Sequence, residues 1–320
     1  MTKLVRVSSV EHIKLDAPVD VYDIGVEQHH NYFVYGPDSD KGVLVHNCHD
    51  TAADEYLKVV AQLNSLYMIG LTGTYDRKDG KIILSQLVIG PVRAEGQANT
   101  LVPSVQFVET GVTHAGHKTW PGAITWLSNN EQRNTLIVKH ALKDVIKHDR
   151  SIVIPVDRVK HAMLLTNVLN KAYRRMTGKD RDIAAAFTGQ VERNTQRPKI
   201  LQDARSGRIR IIVGIRRIVQ VGLNIPRWDT IYEVIPISNP PKLAQETARI
   251  RTVVDGKQQP LIKHFIEDYG PSRGCLRTCF WQTYKPERFK IDREQVQVAM
   301  KYMNKGRRVV DDSPTIGIKW

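Results

Sequence analysis

From residue 151 onward, short apolar runs alternate with stretches in which apolar residues recur every three or four positions. That is the pattern of strands alternating with amphipathic helices in a parallel α/β sheet. Ser-Ile-Val-Ile-Pro-Val predicts a strand at 151–156, and 158–176 predicts a helix with Ala162, Leu165, Val168 and Leu169 on one face. Further strands are expected at 182–187, 208–213 and 230–235, with helices at 193–206 and 242–250. In such sheets ligands bind beyond the carboxyl ends of the strands, so the loops that follow strands are where function is expected. The beginning of the chain is patterned differently. Residues 19–26 and 27–34 are β-type runs, followed by a turn-rich Gly-Pro-Asp-Ser-Asp-Lys-Gly at 36–42, which predicts a small all-β segment. Between the two patterns, Pro91, Gly96, Pro103, Gly111, Gly116, Pro121 and Gly122 predict a linker with loops over 91–130, then a helix over 129–147 and a domain boundary near 100.

With 320 residues, 41% of them hydrophobic, the chain can bury a core for about two domains. A net charge of +14 and an isoelectric point of 9.7 favour a polyanionic partner, DNA or RNA in the simplest case, with a generally basic surface as the alternative. No apolar run approaches the ~20 residues that span a bilayer, and Met-Thr-Lys-Leu-Val-Arg lacks a signal-peptide core. A location inside the cell and no membrane partner are therefore expected. Three cysteines do not make a disulfide framework, and a reducing compartment is consistent with a free thiol at Cys48.

The junction between the two patterns reads Val45-His46-Asn47-Cys48-His49. An asparagine amide can attack its own backbone carbonyl, forming a succinimide and cutting the chain after itself. The reaction accelerates when the fold holds the amide near its target and an imidazole handles protons, for which His46 and His30 are the candidates. A thiolate at the next position can carry an acyl group, and Cys48 supplies it. The run Val-Tyr-Asp-Ile-x-Val-x-x-x-His-Asn-Tyr, then Val-His-Asn-Cys, closely resembles the two C-terminal motifs of inteins over residues 19–48. By that resemblance Asp23 helps to activate or position Cys48. After Asn47 cyclises, the thioester on Cys48 passes to its own amino group and leaves a peptide bond. An intein N-terminal piece, with its nucleophile and Thr-x-x-His motif, is not found in this sequence. Met1 lies 47 residues before the junction, which resembles the C-terminal half of a split intein acting in trans on an N-terminal intein-helicase half. A truncated piece of a cis-splicing precursor is the alternative.

Beyond the junction, Cys48-His49, then Leu66 to Thr74 and Asp76 to Gly80, resemble the end of motif II and motif III of superfamily 2 helicases, above all phage-encoded ones. Ile211 to Gly214 with Val221 to Pro226 resemble motif V, and Gln245 to Arg251 motif VI. The resemblance implies the end of a first RecA-like domain at 48–100, a complete second one at 101–270 and a basic extension at 271–320, behind an intein segment at 1–47. It implies ATP and Mg²⁺ as cofactors after splicing, in the cytoplasm of a bacterium or phage-infected cell. His49, Gly222, Asn224, Gln245, Arg249 and Arg251 would serve ATP, with Arg249 as the arginine directed at the γ-phosphate. Motif VI is not met cleanly: Ala248 replaces a glycine, Thr252 holds the second arginine position, and Arg251 lies one residue early. Asn224 stands where many relatives have Asp. Thr72 and Thr74 would couple ATP to nucleic acid, and Arg216 and Arg217 would contact phosphates or be ordinary surface charge. No Gly-x-x-x-x-Gly-Lys-Ser/Thr loop occurs, and His46-Asn47 replaces the Asp-Glu of motif II, so the unspliced chain is expected not to hydrolyse ATP. A stand-alone nucleic-acid-binding module with an inactive intein remnant is the rival reading. Cys275 and Cys279 form a Cys-x3-Cys pair with no partner pair, so buried or surface thiols are expected rather than a metal site. Lys285, Arg288, Lys290, Lys301, Lys305, Arg307 and Arg308 would add affinity for nucleic acid or simply solvate a helix.

Overall fold

The computed structural model describes residues 100–113, 119–191, 195–222 and 225–305, together with 31–34, 43–47, 68–71, 83, 86–87 and 90–91. The chain divides into two compact units, Met1–Gln97 and Ala98–Trp320.

In the first unit, β1 (Asn31–Val34) pairs antiparallel with β2 (Val43–Asn47), Asn31 facing His46 and Val34 facing Val43. On its other side β2 runs parallel to β3 (Met68–Leu71), with His46 opposite Gly70 and Asn47 opposite Leu71. The early segment therefore forms a hairpin and also shares a parallel pair with the strand that leads into Thr72. The expected strand at 19–26 and the candidates Asp23, His30, Cys48, His49, Thr72, Thr74 and Asn224 lie outside the described residues.

The second unit is built on six parallel strands: β4 (Ser104–Glu109), β5 (Ile152–Val156), β6 (Ala184–Phe187), β7 (Ile211–Ile215), β8 (Thr230–Glu233) and β9 (Leu261–Ile266). Their order across the sheet is β4-β9-β8-β5-β7-β6. Alternate side chains feed two cores, as strand geometry requires. Val105, Phe107, Val153, Ile212, Ile231 and Ile262 point to one face. Ile152, Ile154, Ile211, Val213, Tyr232 and Phe265 point to the other. Coverage of both faces explains why these strands read as nearly unbroken apolar runs.

Helices α1 (Trp120–Asn129), α2 (Glu131–His148) and α3 (Val159–Thr177) pack on the second face. The expected loop over 91–130 contains α1, because Pro121 sits in the first turn, where a helix tolerates proline, and Thr119 caps Gly122 N–H. Asn130 ends α1 and its Oδ1 accepts from Arg133 N–H at 2.9 Å, so one residue closes one helix and caps the next. On α3, Ala162, Leu165 and Leu169 are buried as expected, whereas Val168 is 38% exposed and turns away from that face. The Asn170 amide accepts from Ile183 and Ala184 N–H and donates to the Ala184 carbonyl, fixing the start of β6.

Helices α4 (Gln196–Ser206), α5 (Arg216–Gly222), α6 (Pro240–Ala248), α7 (Gly270–Cys279) and α8 (Arg293–Asn304) complete the unit. A π-helical turn, Phe280–Tyr284, follows α7. Residues 271–305 pack into the unit instead of forming a separate basic extension. Leu276, Cys279, Phe280, Tyr284, Phe289, Ala299, Tyr302 and Met303 belong to the same core as Phe107 and Ile262. The Gln295 side chain accepts from Phe107 N–H, and Ser104 bridges Lys290. A basic composition concealed a buried apolar stripe there. Two of its cations are also committed, Lys301 to Glu109 at 2.8 Å and Lys305 to Asp268. Arg307 and Arg308 lie outside the described residues.

Candidate nucleotide-facing edge

Three strands of the second unit end in charged residues at neighbouring places on the sheet. Asp157 follows β5, Arg216 follows β7, and Glu233 is the last residue of β8. Arg216, expected either at a phosphate or as ordinary surface charge, is neither surface-exposed nor open to a ligand in this structure. Its guanidinium turns inward, 3.2 Å from Asp157 Oδ1, 3.2 Å from Glu233 Oε2 and in close contact with Glu246 of α6, and it donates to the Ile235 carbonyl at 3.2 Å. Arg216 is 9% exposed, Glu233 1% and Glu246 0%. A phosphate could reach this cation only by displacing carboxylates already in place.

The electrostatics follow from burial. Desolvation pulls the Arg216 guanidinium toward losing its proton, but Glu246, Glu233 and Asp157 together outweigh it and hold the charge firmly. Glu246 is pushed up strongly, by burial first, with Arg216 opposing and Glu233 reinforcing. His264 on β9, fully enclosed, is lowered to about 4 by burial and then by the Arg216 charge, and its Nδ1 lies 2.8 Å from the Tyr284 hydroxyl. The neutral imidazole lies opposite Glu233 in the β8–β9 ladder.

The face of α6 away from the core carries Gln245 and Arg249, both half-buried. Arg249 is the residue that ends the helix, and its N–H bonds back to the Glu246 carbonyl at 3.1 Å. Arg251, the second arginine candidate, is engaged elsewhere. It donates to the Leu101 carbonyl at 3.3 Å and to Thr100 Oγ1 at 3.1 Å, pairs with Glu287 at 2.9 Å and stacks over Phe289. It fastens the start of the unit to its C-terminal part. Arg217 is exposed. Gly222 is the last residue of α5. Gly214, at the end of β7, has a packing reason to be glycine, because a Cβ there would lie 2.6 Å from Val219 Cγ2.

An amide and a guanidinium are the side-chain types that bind a phosphate chain, although the Nε of Arg249 is buried. Magnesium does not fit the described residues of this edge: Glu233 and Glu246 are committed to Arg216, and no group of three or more His, Cys, Asp or Glu residues able to hold a metal occurs among the described residues. Cys275 and Cys279 are buried free thiols, pushed up by burial, Cys275 to about 11, and Cys279 donates to the Ile237 carbonyl. Among the described residues no helix is long and apolar enough to cross a membrane.

The inward carboxylates were missed in the sequence. Their signal was an apolar strand closing on a single acid, Ile-Val-Ile-Pro-Val-Asp and Thr-Ile-Tyr-Glu, beside a strand closing on arginine.

Comparison with solved structures gives this architecture its context. The chain superposes on a fragment of a putative HsdR subunit of a type I restriction enzyme from Vibrio vulnificus, with a TM-score of 0.55 at 14% identity, covering 74% of this chain and 44% of that one. It superposes on S. cerevisiae Dbp5 bound to RNA and ADP BeF3 with a TM-score of 0.53 at 13% identity, covering 82% of this chain and 63% of that one. The fold is RecA-like. Among curated proteins the chain is 24% identical over 226 residues to the probable helicase D10 of Escherichia phage T5, covering 69% of this chain. It spans 47% of the length of that protein. No family model matches the chain. In this RecA-like unit, Arg216, which lies between the two stretches expected to form motif V, meets Glu246 of the stretch expected to form motif VI.

Proposed function

We propose that this chain is the C-terminal part of a superfamily 2 helicase, a nucleic-acid-dependent ATP hydrolase, carried behind an intein C-terminal segment that must be removed before the enzyme works. The observation that carries the helicase reading is the carboxyl edge of the parallel sheet, where α6, the helix that bears Gln245 and ends at Arg249, is tied through Glu246 to Arg216 at the end of β7. The phage helicase likeness and the net charge of +14 support it. ATP would supply the scissile phosphoanhydride. Arg249 neutralises charge developing on the transferred phosphoryl group, and Gln245 donates to it. Arg217 contacts the nucleic-acid backbone, and Thr72 and Thr74 couple the two sites. Mg²⁺ and the phosphate loop come from the N-terminal half, which carries the Asp-Glu that precedes Cys48 after ligation.

The splicing reading rests on Val45-His46-Asn47-Cys48 with His30 and Asp23 upstream. The Cys48 thiolate takes the acyl group of the N-terminal half as a thioester, and the thiol of that half leaves. The Asn47 amide nitrogen then attacks the Asn47 carbonyl carbon, assisted by His46 and His30. The Asn47–Cys48 peptide bond breaks, and a succinimide and a free Cys48 amino group form. That amino group takes the acyl group from sulfur, giving an amide and restoring the thiol. Residues 1–47 depart.

Mixing the purified chain with an N-terminal intein-helicase half and following intact mass tests both readings. Ligated product with a freed peptide of residues 1–47 is expected, and ATP hydrolysis only in that product. Asn47→Ala should stop excision, and Cys48→Ala should stop ligation. Ligation in either variant, or hydrolysis by the unspliced chain, overturns the assignment.

A further inference from the structure

Arg216 touches nothing that reacts, yet it is the most heavily engaged cation of the carboxyl edge. Its position is fixed by the sheet alone, because it grows from the end of β7 and is gripped by Asp157 beyond β5, by Glu233 on β8 and by the Ile235 carbonyl. Helix α6 is then attached to that fixed point through Glu246. Of its three buried residues, Leu243, Glu246 and Thr247, Glu246 alone is charged. Gln245 is its neighbour, and Arg249 lies one turn on, its N–H held by the Glu246 carbonyl.

We propose that Arg216 is a positioning residue, which through Glu246 fixes the turn of α6 bearing Gln245 and Arg249 and ties that turn to the segment following β7. The inference rests on the nucleotide role given to Arg249 above. Stability alone does not account for the arrangement. Well-packed apolar residues commonly replace a buried ion cluster at no cost in stability, whereas a planar guanidinium shared among carboxylates imposes a geometry. An apolar contact would let α6 slide along its axis. A fork bonded on three sides does not. Lysine, a point charge on a flexible stem, can keep one of these contacts but not all of them.

The test compares Arg216→Lys, which keeps a cation beside Glu233 and Asp157, with Arg216→Gln and the double variant Arg216→Gln/Glu246→Gln, which removes the pair joining α6 to the sheet and leaves Glu233 and Asp157 without that cation. Backbone hydrogen exchange over residues 245–251 is read in the full chain, and ATP hydrolysis in the ligated product. Exchange over 245–251 is expected to rise about tenfold in the double variant while that of β5 and β8 stays unchanged. The ligated double variant should lose kcat by about ten- to a hundredfold with KM for ATP within about twofold, as misplacement of a transition-state group requires. Arg216→Lys should recover part of the loss. The double variant should be no worse than Arg216→Gln, because both act through one contact. Unchanged exchange over 245–251 in the folded double variant, or an unchanged kcat, overturns the proposal. A wild-type ligated product that does not hydrolyse ATP sinks the function proposed for Arg249, and hydrogen exchange still decides whether Arg216 holds α6.

Discussion

Glu267→Gln isolates a fully buried ion pair that joins a helix to the end of a strand. Glu267 follows β9, and its Oε1 accepts from Arg133 Nε of α2 at 2.8 Å, with both side chains 0% exposed. Its Oε2 accepts from Ser272 Oγ at 2.8 Å. Glutamine keeps the volume and one acceptor but leaves the guanidinium without a counter-charge, a change that costs about 3–5 kcal/mol when one partner of a buried pair is removed. A domain of this size loses roughly 2–4 °C of Tm per kcal/mol, so a fall of roughly 6–20 °C is expected. All five tryptophans lie between residues 120 and 320, so their fluorescence in urea reads the second unit directly. The double variant Arg133→Met/Glu267→Leu should be less destabilised than Glu267→Gln, since it leaves no orphaned charge. A Glu267→Gln protein within about 1 kcal/mol of the parent would refute the reasoning, as would a double variant less stable than either single one.

Acid should weaken the second unit before its exposed carboxylates titrate. His264 and His161 are lowered by burial to about 4 and about 3 in the folded protein, against about 6.5 in the unfolded chain, so unfolding takes up protons and stability falls as pH drops below about 6.5. Each contributes up to about 1.4 kcal/mol per pH unit down to its folded value; urea midpoints at pH 7 and 5 measure the slope, which His264→Gln should reduce. Arg249→Ala in the ligated product should lower ATP hydrolysis by about a thousandfold with little change in Tm. Arg251→Ala should instead cost about 1–2 kcal/mol of stability, through the Leu101, Thr100 and Glu287 contacts, and the reverse pattern would exchange their roles. Gly214→Ala should cost about 1–3 kcal/mol by urea unfolding, because the β-branched Val219 side chain cannot yield a clash at 2.6 Å cheaply, and an unchanged midpoint would count against the close packing of β7 on α5.

Burial on both faces writes strands as apolar runs, so β5, β6 and β8 fell within the expected segments and β7 overlapped its own but ran two residues beyond it, whereas β4 and β9 were not anticipated. Strand ends were less legible, since Asp182 and Arg208 precede the ladder rather than join it. Helix α1 was hidden by a proline and glycine pair that marks a turn in one context and a helix start in another. The inward direction of Arg216 could not be read. Arg216 and Arg217 are identical in type and adjacent, and only the three-dimensional placement of Asp157, Glu233 and Glu246 decides which of them faces water. Residues 271–305 misled for a related reason: lysine stems are compatible with a helix whose opposite face is a core.

The parallel pairing of β2 with β3 gives the proposed excision a mechanical side. Val43–Asn47 occupies one hydrogen-bonding edge of Met68–Leu71, and under the proposed reaction this strand would leave with residues 1–47. Its departure bares a row of backbone donors and acceptors on β3, which a sheet does not leave open without risk of mispairing. Under the proposed reaction the newly joined polypeptide ends in Asp-Glu directly before Cys48, in the chain position that Asn47, the last residue of β2, gives up. Ligation under this reaction is therefore also a strand replacement, in which a temporary occupant keeps the edge of β3 covered until the permanent one is covalently attached.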